Sequence, residues 1–265
     1  MIHEIAFPGL GLTFTLDRVA FTIGNKPIYW YGIIIAVGFL LGALYAMRRA
    51  PQFDLQAENL LDMLLFAVPV SILCARLYYV AFHGGWSRFF YIWEGGLAIY
   101  GGVIGAMATV AVFCRVRHLC ARDMMDVGVL GLLIGQCIGR WGNFVNAEAY
   151  GGVTDALWRM SIDGGPGVHP TFLYESLWNL VGFCLLHWLS HHRRFSGETA
   201  LQYVAWYGLG RTFIEGMRTD SLYLWGTGIR VSQVLAAVTC LAAVAILIWQ
   251  YKKQKKEEHK ERGQS

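Results

Sequence analysis

The chain has 265 residues, of which 55% are hydrophobic and only 15% charged, and its mean hydropathy is +0.42. A soluble domain carries about 25% charged residues, so long stretches here lack the charges that keep a helix in water. The formal net charge of +4 is concentrated in short clusters at the ends of apolar stretches, which argues against nucleic acid as a partner.

Taken in chain order, residues 1–28 are mixed, with Asp17, Arg18 and Pro27, and show no basic start followed by a short apolar core. They are predicted to form an extracytoplasmic arm, with short strands between 12 and 23. A hydrocarbon core of about 30 Å needs roughly 20 residues of helix. Seven stretches meet that length: 29–47, 60–82, 97–114, 124–145, 171–190, 199–217 and 229–251. The expected fold is therefore an all-α membrane protein with seven transmembrane helices. Residues 146–170 are Gly-rich and too polar to span, so they form an outer insertion. The basic tail 252–265 is expected to be disordered.

Lysine and arginine near the span ends set the orientation. Arg48 and Arg49 follow the first span, and Arg115, Arg117 and Arg122 separate the third from the fourth. Arg193 and Arg194 separate the fifth from the sixth, and Lys252, Lys253, Lys255 and Lys256 follow the seventh. Every second connection is basic, as seven alternating crossings require, with the N-terminus outside and the C-terminus cytoplasmic. Gly131, Gly135 and Gly139, like Gly101 and Gly105, recur every four residues, a spacing that lets helices approach closely in lipid. Six cysteines, at 74, 114, 120, 137, 184 and 240, form no C-x-x-C pair and are read as unpaired, neither a disulfide framework nor a metal site.

Charged groups inside a span usually face a cavity or a partner. The orientation places Arg140 and Asn143 of the fourth span, Arg211 and Glu215 of the sixth, and Arg76 of the second near their outer ends. Glu175, with His169 just before it, Tyr31 and Tyr100 open their spans at the same face. Asp62 and Asp126 lie near inner ends, within snorkelling reach of headgroups. Gln136, Arg140 and Asn143 share one helix face, and Arg211 and Glu215 stand four apart and can pair. Any one of these could be a structural ion pair or interfacial anchor; their common depth points to a site. An excess of arginine at the outer headgroup level suits a phosphate, which guanidinium grips bidentately. The residues thus imply binding of an outer-leaflet phospholipid headgroup and leave the reaction open. A lipid transporter would need polar groups at several depths and often repeated halves. A structural or receptor-like protein would leave the paired Arg and Glu residues unexplained.

The run GRWGNFVNAEAYG (139–151) resembles the signature of the bacterial prolipoprotein diacylglyceryl transferases. YWYG (29–32), GGLAIYGGVIG (95–105), HPTFLYE (169–175) and YGLGRTFIEGMRTD (207–220) extend the similarity over nearly the whole chain. The resemblance implies a multi-pass enzyme of the bacterial cytoplasmic (inner) membrane. It implies transfer of the diacylglyceryl group of phosphatidylglycerol to the lipobox cysteine of a prolipoprotein signal peptide, with glycerol phosphate as by-product and no cofactor. Arg140, Asn143, Asn146 and Glu148 match the signature, and Arg211 and Glu215 match the sixth-span pair. Tyr31, His169, Tyr174, Glu175 and Tyr207 match positions described as site-lining. By this resemblance Arg140, Glu148, Arg211, Glu215, Tyr100 and His169 are the catalytic candidates. Arg140, Asn143, Asn146, Glu148, Tyr31 and Arg211 are the phosphatidylglycerol ligands. Many members have HGG where this chain has Tyr100-Gly101-Gly102, which leaves the general base open among Tyr100, Glu148, Glu215 and His169.

Overall fold

A computed structural model describes residues 2–91, 95–219 and 230–262. Asp220, which closes the last motif, residue 229 of the seventh predicted span, and tail residues 263–265 lie outside them. The described residues contain seven helices of 18 residues or more: α1 (Trp30–Arg49), α2 (Ala57–His83), α3 (Ile99–Val116), α4 (Ala121–Val145), α5 (Thr171–Ser190), α6 (Glu198–Glu215) and α7 (Val231–Arg262). Each coincides with one predicted stretch. Four helical segments are long and apolar enough to cross a membrane: Trp30–Phe53, Ala57–His83, Ile99–Val116 and Val231–Glu257. Between 11% and 28% of their most apolar windows are buried inside the protein, and side chains such as Leu65, Phe66, Val112 and Leu241 stand exposed. Apolar surface on that scale does not face water in a soluble monomer, so it is lipid-facing surface of a membrane protein.

The chain divides into two compact units, residues 43–128 and residues 1–42 with 129–265, the breaks falling within α1 and α4. In the first unit α2 and α3 pack closely because Gly101 and Gly105 have no side chain to hold the helices apart. A Cβ at either would strike Cys74 of α2. Arg76, 5% exposed, donates from Nε to the Phe89 carbonyl at 3.0 Å and from Nη1 to the carbonyls of Gly95 and Gly96 at 2.7 and 3.1 Å. It pins the α2–α3 connection, a structural role. Asp62 forms an ion pair with Arg117. Asp126, by contrast, does not snorkel, being 0% exposed.

In the second unit the N-terminal arm is a small β-structure. Strand β1 (Ile2–Phe7) pairs antiparallel with β2 (Leu12–Asp17). The hairpin β3 (Val19–Ile23) and β4 (Lys26–Tyr29) turns through Gly24, whose φ of +59° suits glycine at the first position of a tight turn. A two-residue strand of the insertion, β5 (Ser161–Ile162), adds to the other edge of β1, so the sheet order is β2-β1-β5. Ile5, Phe7, Phe144, Met160, Val168 and Phe172 form the buried core beneath it. His3 Nδ1 lies 2.7 Å from Asp163 Oδ2, and the Glu4 N–H donates to Asp163 Oδ1 at 2.8 Å. These bonds hold the Asp163 carboxyl below its ordinary range.

Helices α5 and α6 are clasped by two tryptophans. Trp178 and Trp206 stack at 4.4 Å, and each indole N–H donates to the other's backbone carbonyl at 3.1 Å. The Trp206 indole occupies the space over Gly182, and the Trp178 indole the space over Gly210. Each helix thus carries a tryptophan knob one turn before the glycine that receives its partner. Gly38 and Gly42 of α1 approach Gly135 and Gly131 of α4 in the same manner.

The tail departs from expectation: α7 continues to Arg262, 32 residues in all. Its Lys, Glu and Gln are good helix formers. Lys253 and Glu257 pair at 3.9 Å across one turn, Tyr251 donates to Glu198 at the start of α6, and Gln254 donates to the Arg194 carbonyl of the α5–α6 connection. The clasp supplies a test. Gly210→Ala should destabilise the protein by about 1–3 kcal/mol, although Ala is the better helix former, because the Trp178 indole has nowhere to move. Gly128→Ala, which meets open space, should be neutral or slightly stabilising; thermal unfolding in detergent compares the two.

Candidate active site

The clasp fixes α5 against α6, and the charged residues lie beside it. Glu175, on α5 one turn before Trp178, is the centre. Its Oε2 accepts an ion pair from Arg140 Nη2 of α4 and lies 3.5 Å from Arg211 Nη1 of α6, while its Oε1 lies 3.2 Å from Arg218 Nη1. Arg211 reaches in turn to Glu215 through Nη2 to Oε2 at 2.6 Å, the i,i+4 pair expected. Glu215 Oε1 accepts the Ser232 hydroxyl at 2.7 Å, and its backbone carbonyl accepts Arg230 Nη1. Guanidiniums from two helices and from the residues just after α6 thus converge on one carboxylate of a third helix.

The carboxylates are the deep members, with side chains 6% (Glu175) and 3% (Glu215) exposed, whereas Arg140 and Arg211 are 22% and 20% exposed. The accessible side of the cluster is therefore guanidinium. Among the described residues four arginines (140, 211, 218, 230) and two glutamates (175, 215) meet here. An isolated ion in this setting would be strongly disfavoured, but a shared pairing offsets much of the desolvation.

Arg140 also begins a polar chain toward the surface. Its Nη1 donates to Asn143 Oδ1 at 3.4 Å, and Asn143 Nδ2 donates to Glu148 Oε1 at 3.0 Å. Asn146 Nδ2 donates to the same oxygen at 3.3 Å. Glu148 is exposed, and among the described residues its other oxygen has no hydrogen-bond partner. This arrangement follows from the end of α4: Val145 is the last helical residue, and Ala147, with φ +51°, turns the chain back so that Glu148 faces Asn143.

Tyr31 lies flat on Gly142 of α4, where a Cβ would meet its ring. It lines an open groove of about 800 Å³ with Arg18, Ile28, Ile33, Ala36 and Asn146. Tyr207 lines a water-sized space of about 10 Å³ beside Glu175 and Arg211. His169 Nδ1 is 3.1 Å from the Tyr174 hydroxyl, which accepts the Trp158 N–H at 2.6 Å. His169 and Tyr174 therefore pair where the insertion joins α5. Tyr100 belongs to the other unit, where its ring lies 6.4 Å from that of Tyr78.

Residues 18–249 match the prolipoprotein diacylglyceryl transferase family. The chain belongs to that family. Among its relatives, the phosphatidylglycerol–prolipoprotein diacylglyceryl transferase of Geobacillus kaustophilus is 46% identical over 250 residues, 88% of this chain and 92% of that protein. The protein of the same name in Limosilactobacillus reuteri is 44% identical over 256 residues, 90% and 92% of the two chains. That of Clostridioides difficile is 38% identical over 245 residues, 91% and 98%. This prolipoprotein diacylglyceryl transferase family member is accordingly a transferase of lipoprotein maturation.

Two arginines of the site escaped the sequence reading. Arg218 follows the end of α6, where no periodicity ties it to the Arg211–Glu215 face; only its place in the quoted motif marked it. Arg18 donates from Nη2 to the Asn146 carbonyl at 2.6 Å, bracing the Asn143–Glu148 turn from 128 residues away. Removing the hub is the direct test of the cluster. Glu175→Ala leaves three guanidiniums facing one another, so stability should fall by about 3–5 kcal/mol, read as thermal unfolding in detergent; an unchanged melting temperature would show that the hub does not hold the helices.

Proposed function

We propose that this chain moves the diacylglyceryl group of phosphatidylglycerol onto the lipobox cysteine thiol of a prolipoprotein, at the arginine cluster just described. The observation that carries the reading is that Arg140 and Arg211 form the more exposed side of the cluster, over two buried glutamates. The guanidiniums are the more exposed groups of the cluster, and a planar fork matches phosphate oxygens.

The cysteine sulfur attacks the glycerol carbon that carries the phosphate, and a C–S bond forms as the C–O bond breaks. The leaving glycerol phosphate gains the bond pair, so the phosphate passes from one negative charge toward two. Arg140 and Arg211 hold that oxygen more strongly as its charge grows, and a gain confined to the transition state raises the rate. The thiol proton must leave. Glu215 is engaged by Arg211 and Ser232, and His169 by Tyr174. Glu148 has the unengaged oxygen and solvent access, and it takes the proton. Asn143 and Asn146 hold Glu148 and meet the headgroup glycerol, and Tyr31 closes the adjacent wall.

All seven helices cross the bacterial cytoplasmic membrane in this reading, N-terminus outside, with the four basic clusters in the cytoplasm. Helices α4, α5 and α6 fall short of the apolar criterion because they carry the site's ions, which face one another instead of lipid. The cluster then lies near the outer face, where a translocated prolipoprotein presents its cysteine.

The purified protein, given phosphatidylglycerol and a lipobox peptide, should raise the peptide's mass by one diacylglyceryl group. Unmodified peptide from a folded preparation defeats the proposal. Arg140→Lys should lower turnover at least tenfold despite keeping the charge, since an ammonium is a point donor; wild-type turnover would remove Arg140 from the phosphate. In the same assay Glu148→Gln should lose most activity while Tyr100→Phe retains it. The reverse result would make Tyr100 the proton acceptor.

A further inference from the structure

At the opposite ends of α5 and α6 from the arginine cluster, the last apolar turns of α7 run into a basic pocket built on the α5–α6 connection. Arg194, Tyr251, Lys252, Gln254 and Lys255 line about 390 Å³ of space. Its back wall is fixed. Glu198, 4% exposed, accepts the Tyr251 hydroxyl at 2.6 Å and the Gln202 amide at 3.1 Å through Oε1, and the Arg194 backbone N–H at 2.5 Å through Oε2. Gln254 donates to the Arg194 carbonyl at 3.2 Å, and the Arg194 guanidinium lies 5.4 Å from the centre of the Tyr251 ring.

The charge of this pocket is unbalanced. Among the described residues no carboxylate forms an ion pair with the side chain of Arg194, Lys252 or Lys255, whereas neighbouring Lys253 pairs with Glu257. Directly along α7 from the two lysines, at helical spacing, lie Ile248, Val244 and Leu241, exposed by 49%, 39% and 70%. Trp249, 60% exposed, marks the level at which apolar surface gives way to headgroups. A phosphate in the pocket would therefore continue into acyl chains lying on that stripe. Three cations over an apolar helix face complement an amphiphile with an anionic head, and a soluble anion would leave the stripe unused.

We infer that this pocket binds the phosphate of an anionic phospholipid from the leaflet at this end of α7, as a site separate from the transfer centre. The two lysines supply most of the selectivity over zwitterionic lipid, and the stacked Arg194 supplies a fixed third donor.

The test uses full-length protein in phosphatidylcholine vesicles containing a photoactivatable phosphatidic acid, with labelled peptides mapped by mass spectrometry. Label is expected on the 241–255 segment of α7. The exposed double substitution K252Q/K255Q should lower that labelling at least about tenfold without changing label elsewhere, and K253Q should leave it intact. Excess phosphatidic acid should compete, and phosphatidylcholine or inorganic phosphate at equal concentration should not. Equal labelling of K252Q/K255Q overturns the inference. So does competition by inorganic phosphate, which would make the pocket a site for free anions.

Discussion

One buried carboxylate governs where three helices can lie. Glu175 is surrounded by guanidiniums from α4, α6 and the residues just after α6, and its charge offsets theirs in an apolar setting. The pairing is cheap only when all partners are present, because removing any one strands the rest. A site of this kind is therefore also a structural joint. Helices α4, α5 and α6 give up apolar character to carry it, and the more apolar α1, α2, α3 and α7 present exposed hydrophobic faces.

Such a joint needs helices held to within a fraction of an ångström, and apolar burial gives little association between helices in lipid. Small residues supply the precision instead. The Trp178–Trp206 clasp sets the register of α5 on α6 through mutual knobs over Gly182 and Gly210, one turn from Glu175 and adjacent to Arg211. The glycine contacts of α1 with α4 serve the same end on the other side of Arg140. The two arginines that face the open side are thus positioned by residues that touch no substrate.

The helices were legible in the sequence because about twenty consecutive apolar residues have few other uses, and the i,i+4 spacing of Arg211 and Glu215 foretold their pair. The meeting of Arg140 with Arg211 on Glu175 was not legible, since helical periodicity says which residues share a face and nothing about which faces meet. Arg76 shared the sequence signal of the site arginines yet serves carbonyls of its own connection; a charge in a span reports a partner without naming it. Asp126 was misjudged for the same reason. The helical tail was missed because polar composition signals solvent as readily as disorder, and its Tyr251 and Gln254 contacts are tertiary. Strand β5 is two residues long, too short for any alternation to register.

That short strand has a consequence for how the protein is made. The first strand of the chain finds one of its two neighbours about 160 residues later, as His3 does with Asp163. At roughly 5–20 residues per second, a ribosome takes about 10–30 s to deliver that partner. For that interval β1 keeps an open edge, and the apolar underside built around Ile5 and Phe7 has no Phe144, Met160 or Phe172 to cover it. The β2 hairpin is the shelter available early, and the arm can reach its final packing only after α4 and residues 146–170 have been made. Biogenesis of the arm is thus timed by synthesis of the middle of the chain.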